Sequence, residues 1–397
     1  MQIQTIKDIP QIEGKKIIVR ADLNVPLSKI DGSIQDDTRI QGALPTIKYL
    51  QERGAKIIII SHLGRPNGEI TEELRLEKVA TRIRELTNLN VKYSKEIISD
   101  SVVKQINELQ NGEILVLENI RFDEREKTCD KEFSRQLASL ADIYVNDAFG
   151  TAHRAHASIT GIAEFLPAYG GLLMEEEIAM LTKALETNEH PMTLIIGGAK
   201  IDTKIGVIEK FISRADNILV GGGIANTFLH ASGKFVGESL FQKEKSDLAE
   251  KLMKKAKAAH TKIYIPQDVV VSAEISGAEI KNIPSDQIEG NLKIFDIGEN
   301  TAQEFAKVIA ASKMVIWNGP VGLYEYQGFE NGTKTIARAI ANNKNCTSIV
   351  GGGDSVDAIK RFNLDFKDFT HVSTGGGASL NFLEGRELPG IKVLMHA

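Results

Sequence analysis

The run AKIIII at residues 55–60 is followed directly by SHLGRP at residues 61–66. Consecutive isoleucines without polar alternation are typical of a strand that is buried on both faces, as in a parallel sheet covered by helices. The polar, glycine-containing turn behind the run marks the end of that strand. This stretch therefore predicts a strand of an α/β fold.

Runs of the same kind recur along the chain, and each is separated from the next by a helical pattern. In the first half they are KKIIVR (15–20), EILVLE (113–118) and DIYVND (142–147). In the second half they are MTLIIGG (192–198), NILVGGG (217–223), KIYIP (262–266), KMVIWNG (313–319), TSIVGGG (347–353) and THVSTGGG (370–377). This alternation predicts an α/β fold of two Rossmann-like lobes, each a parallel sheet covered by helices, with right-handed crossovers.

The joint between the lobes is predicted near residues 170–191. Two adjacent glycines in AYGGLL (168–173) precede a helical pattern, which NEHP (188–191) ends. We therefore expect a first lobe over 1–171, a hinge helix over 172–190 and a second lobe over 191–378. An ordinary helix inside one large domain is the alternative.

The composition excludes several classes of protein. The 397 residues are 42% hydrophobic and 25% charged, which is typical of a soluble globular chain. The formal charge of -5 argues against nucleic-acid binding, and no apolar run is long enough to span a membrane. Cys129 and Cys346 are the only cysteines, so a disulfide framework is excluded and a reducing cytoplasm is expected.

In the first half, the predicted strand ends carry cations and small polar groups. Ligands of open α/β sheets bind at these carboxyl ends. The residues concerned are Arg20, Asp22, Asn24, Arg39, His62, Arg65, Arg121, His153, Arg154 and His156. Several arginines in one crevice of an acidic protein indicate a small polyanionic ligand, because guanidinium matches phosphate and carboxylate oxygens. The alternative for any single arginine is a surface salt bridge.

The histidines allow other interpretations. HRAH (153–156) could be half of a metal site, but no third ligand is nearby in the sequence. His62 could equally be a core histidine that a backbone group satisfies.

In the second half, the strand ends carry glycine. GGAK (197–200), GGG (221–223), NGPVG (318–322), GGGDS (351–355) and GGGAS (375–379) each follow an apolar run. Glycine allows backbone N–H groups to approach a phosphate, and a following helix adds positive partial charge. These turns predict a nucleotide site, although neither a Walker motif nor G-x-G-x-x-G occurs.

Three charged residues beside these glycines have two interpretations each. Lys200 and Lys204 could reach phosphates together, or they could only solvate an exposed helix face. Asp354 could hold Mg²⁺ on a phosphate chain, or it could be a simple helix N-cap.

Ten motifs together resemble the phosphoglycerate kinase family, in that family's order. They are VRADLNVPL, DDTRI, ALPTIKYL, SHLGRP, ENIRF, NDAFGTAHRAHAS, IIGGAK, WNGPVGLYE, GGGDS and STGGGASLNFLEG. The resemblance runs from about residue 5 to the C-terminus. It implies a cytoplasmic, monomeric enzyme of glycolysis that binds 3-phosphoglycerate or 1,3-bisphosphoglycerate on one lobe and Mg-ATP or Mg-ADP on the other.

The resemblance also implies the site residues. Those for the phosphoglycerate are Asp22, Leu23, Asn24, Arg39, His62, Leu63, Gly64, Arg65, Arg121 and Arg154. Those for the nucleotide are Lys200, Lys204, Gly223, Gly298, Asn318, Glu325, Gly352, Gly353, Asp354 and Ser355, with Asp354 on the metal. The segment 379–397 is expected to return to the first lobe.

Three positions depart from the family's usual pattern. Asp202 and Thr203 stand where a small residue and Asp are common, Glu299 stands where Pro is usual, and Gln41 stands where Arg is common. No charged ligand that the resemblance implies is missing.

The implied reaction transfers a phosphoryl group reversibly between 1,3-bisphosphoglycerate and ADP. Its acceptor carboxylate is ionised at neutral pH, so no general base is needed. Arg39 and Lys200 are the candidates for stabilising the transferring group, and hinge closure is expected to exclude water. Asp22 is expected to accept a hydrogen bond from the substrate hydroxyl; an ion pair with Arg20 or Arg39 is the alternative.

Two other functions are weighed against this one. A nicotinamide-dependent dehydrogenase would share the fold class but would require the missing G-x-G-x-x-G. A non-catalytic nucleotide-binding protein would be favoured by loss of Arg39, Lys200 or Asp354, and all of these are present.

Overall fold

The computed structural model describes residues 3–276 and 279–395. The chain divides into two compact units: Met1–Ala179 with Glu387–Ala397 form the first, and Met180–Arg386 form the second.

The first unit is built around a parallel sheet with helices between its strands. Its strands and helices are β1 (Lys16–Ala21), α1 (Thr38–Glu52), β2 (Lys56–Ile60), α2 (Glu77–Thr87), β3 (Val91–Tyr93), α3 (Asp100–Asn107), β4 (Ile114–Val116), α4 (Lys131–Ala138), β5 (Ile143–Asp147), β6 (Ala168–Gly170) and α5 (Leu172–Glu186). The strand order is β3-β4-β2-β1-β5-β6, and every pairing is parallel.

The core of this sheet follows from the apolar runs in the sequence. All residues of β5 are buried, as are those of β1 and β2 after their first lysine. Their side chains alternate between two apolar clusters, so that Ile57 and Ile59 pack with one and Ile58 and Ile60 with the other. Burial on both faces explains why these strands show no polar alternation.

The second unit repeats this architecture. Its elements are β7 (Met192–Ile196), α6 (Ile205–Phe211), β8 (Asn217–Val220), α7 (Gly222–Ala231), α8 (Ser246–Ala258), β9 (Lys262–Tyr264), β10 (Asp268–Ser272), β11 (Lys281–Pro284), β12 (Lys293–Ile297), α9 (Glu299–Ala311), β13 (Met314–Asn318), α10 (Asn331–Asn342), β14 (Thr347–Gly351), α11 (Gly353–Arg361), β15 (His371–Val372) and α12 (Gly377–Leu383). A second six-stranded parallel sheet has the order β15-β14-β13-β7-β8-β9.

The predicted fold class is confirmed by these two sheets, and each of the ten runs contains a strand of one of them. Five further strands were not predicted. β3 and β6 are three-residue edge strands. β10, β11 and β12 form a separate antiparallel sheet in the order β11-β10-β12. Only β10 among these three is buried along its whole length, so β11 and β12 lack the continuous apolar signal.

The boundaries of the units differ from the predicted ones. The division falls inside α5, after Ala179, because the first turns of this helix pack into the first unit. Gly170 and Asp147 both lie against Met174 there. The segment that belongs to the first unit begins at Glu387, since α12 packs on α6 of the second unit. It contains the short helix α13 (Pro389–Lys392), and residues 396–397 of the expected returning segment lie outside the described residues.

No helix in the described part of the chain combines the length and the apolar character that crossing a membrane requires.

Candidate functional site

The predicted anion-binding residues of the first unit follow neighbouring strands. Asp22 and Asn24 follow β1, His62 to Arg65 follow β2, Arg121 follows β4, and Arg154 follows β5. These four strands are adjacent in the sheet, in the order β4-β2-β1-β5. The carboxyl ends of parallel strands meet at one edge, so this order brings the groups together.

Asp22 and Asn24 link this edge to helix α1. Arg39 Nη1 donates to the backbone oxygen of Asn24 at 2.7 Å and lies 3.8 Å from Asp22 Oδ2. Asn24 Oδ1 accepts from the backbone N–H of Gly64 at 2.8 Å. The ion pair of Asp22 with Arg39, which was the alternative interpretation of Asp22, is therefore present.

Leu23, Leu63 and Gly64 are uncharged residues that pack at this edge of the sheet. Both leucine side chains are buried. Asn119 holds Leu63 from both sides, because its Oδ1 accepts from Leu63 N at 3.2 Å and its Nδ2 donates to Leu63 O at 2.8 Å. Gly64 has φ +63°, and a Cβ there would lie 2.7 Å from Leu74 Cδ2, so this turn requires glycine.

The arginines differ in burial. Arg121 is 4% exposed and its Nη1 donates to Gly64 O at 2.7 Å. Burial, together with the charges of Arg154 and Arg20, lowers the pKa of Arg121 to about 10. Arg154 Nε donates to His153 Nε2 at 3.2 Å. Arg65 is exposed, and its guanidinium makes no hydrogen bond or ion pair with the residues that the structure describes.

The charges of several arginines at this edge act on His62. It is buried, and its pKa is well below the ordinary value because of burial and the charges of Arg20, Arg121, Arg154 and Arg39. The ring is thus neutral. These four arginines converge on one histidine, and an anionic ligand at this edge would reduce their mutual repulsion.

The prediction of the site left out Arg20, although the residue was noted at a strand end. It is 1% exposed, and its Nη2 lies 3.1 Å from His62 Nδ1. The signal was an arginine inside the apolar run KKIIVR, since a buried arginine requires partners.

The possible metal pair in HRAH has other partners. His153 accepts from Arg154, and His156 Nδ1 lies 3.6 Å from Glu126 Oε1. Within residues 3–276 and 279–395, no three His, Cys, Asp or Glu side chains form a group suited to a metal ion.

In the second unit, a cavity of about 630 Å³ adjoins the glycine turns that follow β7 and β8. Gly198, Ala199, Gly222 and Gly223 line one part of it. Another part is apolar and is lined by Leu240, Phe241, Pro266, Val321 and Leu323. Glu325 and Asp354 add carboxylates. An apolar pocket with a few polar groups has the character of a small-molecule site.

Gly223 shows why glycine is needed in this wall. It lies in the first turn of α7, and a Cβ on it would lie 2.3 Å from the backbone oxygen of Ala199. The backbone of the first glycine turn therefore packs directly on the second. This leaves main-chain groups rather than side chains facing the cavity.

The two lysines differ. Lys200 is exposed, whereas Lys204 is half-buried and donates from Nζ to Asn318 Oδ1. Burial lowers the pKa of Lys204 to about 8, although Asp354 and Glu384 act in the opposite direction. The interpretation as a solvated helix face therefore does not describe Lys204.

Asn318 and Ser355 connect the ends of β13 and β14. Asn318 Nδ2 is buried and has no hydrogen-bond partner among the described residues. The backbone N–H of Gly319 donates to Ser355 Oγ at 2.7 Å. Gly352 is the N-cap of α11 and Gly353 its first residue, so Asp354 lies in the first turn and is not the N-cap. An exposed carboxylate and an unsatisfied amide donor are thus available near one helix start.

Gly298 is not brought to the cavity. It is the N-cap of α9, donates from its backbone N–H to Asp268 O at 2.8 Å, and is not among the cavity-lining residues. A Cβ on it would lie 2.2 Å from Asp268 Cγ, so close packing accounts for this glycine. Asp296 and Ile297, which precede it, do line the cavity.

Comparisons with known proteins show the family of the chain. A family model described as phosphoglycerate kinase matches residues 6–386. A curated phosphoglycerate kinase from Dictyoglomus turgidum is 49% identical over 399 residues, covering 99% of each chain. The structure of phosphoglycerate kinase from Coxiella burnetii has a TM-score of 0.87 and 38% identity, covering 99% of each chain. The crystal structure of phosphoglycerate kinase from Pyrococcus horikoshii OT3 has a TM-score of 0.86 and 34% identity, covering 99% of this chain and 98% of that one. This chain belongs to the phosphoglycerate kinase family.

Proposed function

We propose that this enzyme transfers a phosphoryl group reversibly between 1,3-bisphosphoglycerate and ADP, giving 3-phosphoglycerate and ATP, through the residues assigned below. The observation that carries the assignment is the pair of strand-end sites. The charges of four arginines act on His62 in the first unit, and a cavity of about 630 Å³ beside glycine turns lies in the second. The first suits a small polyanion and the second suits a nucleotide.

In the first unit, we assign the phosphate of 3-phosphoglycerate to Arg65, Arg121 and Arg154. Arg65 has its guanidinium free in the described structure, and Arg121 is buried among like charges. Asp22 accepts a hydrogen bond from the substrate hydroxyl, with Asn24 beside it. Leu23, Leu63 and Gly64 shape this part of the site by packing, because their backbone N–H groups already donate to Ser61, Asn119 and Asn24.

In the second unit, the nucleobase occupies the apolar part of the cavity and Glu325 accepts from the ribose. Gly223 presents its backbone to the phosphates, with Lys204 as a cation. The unsatisfied Nδ2 of Asn318 supports this placement, because a buried donor favours an acceptor such as a phosphate oxygen. Gly352, Gly353 and Ser355 supply the start of α11 to the same group.

We assign Mg²⁺ to the carboxylate of Asp354. It is exposed at the cavity wall, and the described residues contain no cluster of three ligands. A single carboxylate fits Mg²⁺, which is usually held by one or two carboxylates together with substrate phosphates and water. When bound, the ion would neutralise charge on the phosphate oxygens.

The reaction needs no general base on this chain. The acceptor carboxylate of 3-phosphoglycerate is ionised at neutral pH, so the residues have only to position the reactants and neutralise charge. Arg39 and Lys200 have that role in the proposal. The two bound ligands have to meet for the transfer, and closure that excludes water would protect the acyl phosphate from hydrolysis.

Neither alternative function is favoured. The family relationship does not support a nicotinamide-dependent dehydrogenase. Arg39, Lys200 and Asp354 are all present, which argues against a non-catalytic relative.

Two further features complete the proposal. The enzyme acts as a monomer, as the family resemblance implies. It acts in the cytoplasm, which agrees with two free cysteines that form no disulfide.

The direct test is a coupled assay with purified protein, 3-phosphoglycerate, ATP and Mg²⁺. Glyceraldehyde-3-phosphate dehydrogenase consumes the acyl phosphate, and NADH oxidation reports turnover. We expect turnover that requires both substrates and the coupling enzyme. NADH oxidation without the coupling enzyme would instead support a dehydrogenase, and no turnover with intact nucleotide binding would support a non-catalytic protein.

A further inference from the structure

Arg20 and His62 form a hydrogen bond whose direction is fixed by chemistry. Arg20 Nη2 lies 3.1 Å from His62 Nδ1, and the two residues are 1% and 4% exposed. A guanidinium group has donors only and remains charged. His62 Nδ1 must therefore be the acceptor. In a neutral imidazole the other nitrogen then carries the proton, so the ring is the Nε2–H tautomer.

Arg20 is itself held from its other side. Its Nε donates to Ser158 Oγ at 2.9 Å, and its Nη1 donates to the backbone oxygen of Ala21. Ser158 Oγ donates in turn to Glu126 Oε1 at 2.7 Å, and Ser158 N donates to Glu126 Oε2 at 2.9 Å. A hydroxyl has one proton, so donation to Glu126 leaves the lone pairs of Ser158 free to accept from Arg20.

The carboxylate at the end of this chain is ionised. Glu126 is 1% exposed, and burial alone would raise its pKa. His156, the charge of Arg20 and the hydrogen bonds from Ser158 outweigh burial and hold the pKa of Glu126 below its ordinary value. The chain Glu126–Ser158–Arg20–His62 thus begins at an anion and ends at a ring nitrogen, and the direction of each hydrogen bond along it is assigned.

The surroundings of His62 keep the ring neutral. Arg20, Arg121, Arg154 and Arg39 all face it, and Asp22 Oδ1 lies 3.8 Å from its Nδ1. Burial and the four arginines lower the pKa of His62 well below its ordinary value. A neutral ring contributes a directional donor without adding a fifth positive charge to the cluster.

We infer that Arg20, held by Ser158 and Glu126, is a positioning residue that keeps His62 as the Nε2–H tautomer, so that the ring donates a hydrogen bond to an anionic oxygen of the substrate. The identity of that substrate rests on the proposed function, whereas the tautomer is a property of the free protein. Glu126 and Ser158 act through Arg20 and do not touch the substrate in this inference.

The tautomer can be measured by ¹⁵N NMR on histidine-labelled protein without ligand. The His62 signals are assigned by their loss in His62→Gln. Between pH 6 and 8 we expect an unprotonated, pyridine-like Nδ1 and a protonated, pyrrole-like Nε2. A ring protonated on Nδ1, an equal mixture of tautomers, or an imidazolium in this pH range would overturn the inference.

Ser158→Ala tests the chain that holds Arg20. It removes the acceptor for Arg20 Nε, and we expect the two His62 nitrogen signals to move toward the average of the two tautomers. The KM for 3-phosphoglycerate should rise about tenfold, as for loss of one well-aligned hydrogen bond to a charged group. The KM for ATP should stay within about twofold. Glu126→Gln should have a smaller effect in the same direction.

Ser134→Ala is the matched control. Ser134 is also fully buried, but its Oγ donates to the backbone oxygen of Asp130 and takes no part in the chain to His62. It should leave the His62 signals unchanged even if it lowers thermal stability. If Ser134→Ala moves them as much as Ser158→Ala does, the effect is a general packing effect and the inference is wrong.

The inference and the proposed function fail in different ways. Unchanged His62 signals or an unchanged 3-phosphoglycerate KM in Ser158→Ala would overturn the inference while turnover stands. If Ser158→Ala does not fold, the wild-type tautomer and Glu126→Gln still decide the question. Absence of turnover in the wild type would refute the proposed function, and the NMR result would remain interpretable.

Discussion

The two units use opposite means to present positive potential at the ends of their strands. In the first unit, side chains do so: four arginines face the buried ring of His62. In the second unit, the absence of side chains at the glycines lets backbone segments pack closely and present their N–H groups. A Cβ on Gly223, for example, would lie 2.3 Å from Ala199 O. Removing side-chain atoms should therefore damage the first site, whereas adding them should damage the second.

The difference also appears in the pKa values of the cations at the two sites. Burial beside other cations lowers the pKa of Arg121 to about 10, so the first unit contains like-charge repulsion that an anion can relieve. In the second unit, burial is the main cause that lowers the pKa of Lys204, to about 8, and nearby carboxylates oppose it. An anionic ligand should raise the pKa of both Arg121 and Lys204. Only in the first unit does it also reduce the repulsion between neighbouring cations.

The largest effect should come from removing the cations assigned to the transferring phosphoryl group. We expect Arg39→Ala and Lys200→Ala each to lower kcat by about 100- to 1000-fold, as for loss of one preorganised charge-stabilising donor. Both side chains are at least partly exposed, so the thermal unfolding midpoint should change little. Steady-state kinetics and thermal unfolding provide the measurements.

Arg53→Ala is the control for these variants, because Arg53 is exposed at the C-terminal end of α1, the helix that carries Arg39. It should keep wild-type kcat. Near-normal turnover in purified Arg39→Ala or Lys200→Ala would remove that residue from the mechanism.

Gly223→Ala should disrupt the nucleotide site of the second unit, because it adds a methyl group. The new Cβ meets backbone at 2.3 Å, so the two glycine turns have to separate. We expect the KM for ATP to rise at least about tenfold while the KM for 3-phosphoglycerate is unchanged, since adjustment of packed backbone costs on the order of 1–3 kcal/mol. Isothermal titration with ATP gives an independent measure of the affinity.

Gly42→Ala is a matched control for this change. The atom nearest to its new Cβ would be Leu173 Cδ2, at an ordinary contact distance of 3.6 Å. Gly42 lies within α1, where alanine favours helix. An equal rise in the ATP KM for both variants would contradict the assignment of Gly223 to the nucleotide.

Arg65→Ala should weaken the first site by deletion. The guanidinium of Arg65 has no hydrogen bond or ion pair within residues 3–276 and 279–395, so its loss leaves no buried group unpaired. We expect the KM for 3-phosphoglycerate to rise about tenfold, with little change in stability, as for loss of one charge-assisted contact. A change confined to the KM for ATP would contradict the assignment of Arg65 to 3-phosphoglycerate.

The sequence was sufficient for the fold class because the signal is local. A strand buried on both faces is apolar at nearly every position, as in β2 after Lys56 and in β7 apart from Thr193, and this needs no knowledge of its neighbours. β11 is mostly exposed and pairs only with β10 in an antiparallel sheet, so its residues carry no comparable pattern.

The site was predictable only in part, because its supports are far apart in the chain. Arg20 and Ser158 are separated by 138 positions, so no local motif shows that one holds the other. Gly298 is a site residue only by the family resemblance, and its environment is set by Asp268 on β10. A motif indicates which residue types are present, whereas the fold determines which of them face the ligand.

Asp147→Asn should have the smallest effect on activity among these variants. It should instead change how the stability of the protein depends on pH. Asp147 ends β5 at the arginine-rich edge, yet burial raises its pKa to about 7, and the only other causes are hydrogen bonds from Thr46 and the amides of Met174 and Leu173. The influence of the arginine cluster is therefore local.

The sign of the pH dependence follows from this raised pKa. Between about pH 4 and 7 the folded state holds a proton that the unfolded state has released, so the wild type loses stability as pH rises across this range. One pKa unit corresponds to about 1.4 kcal/mol, and the total loss should be on the order of a few kcal/mol. The amide that replaces the carboxyl group in Asp147→Asn cannot ionise, so the urea midpoint of the variant should fall less between pH 5 and 8. Parallel curves for the two proteins would contradict the raised pKa of Asp147.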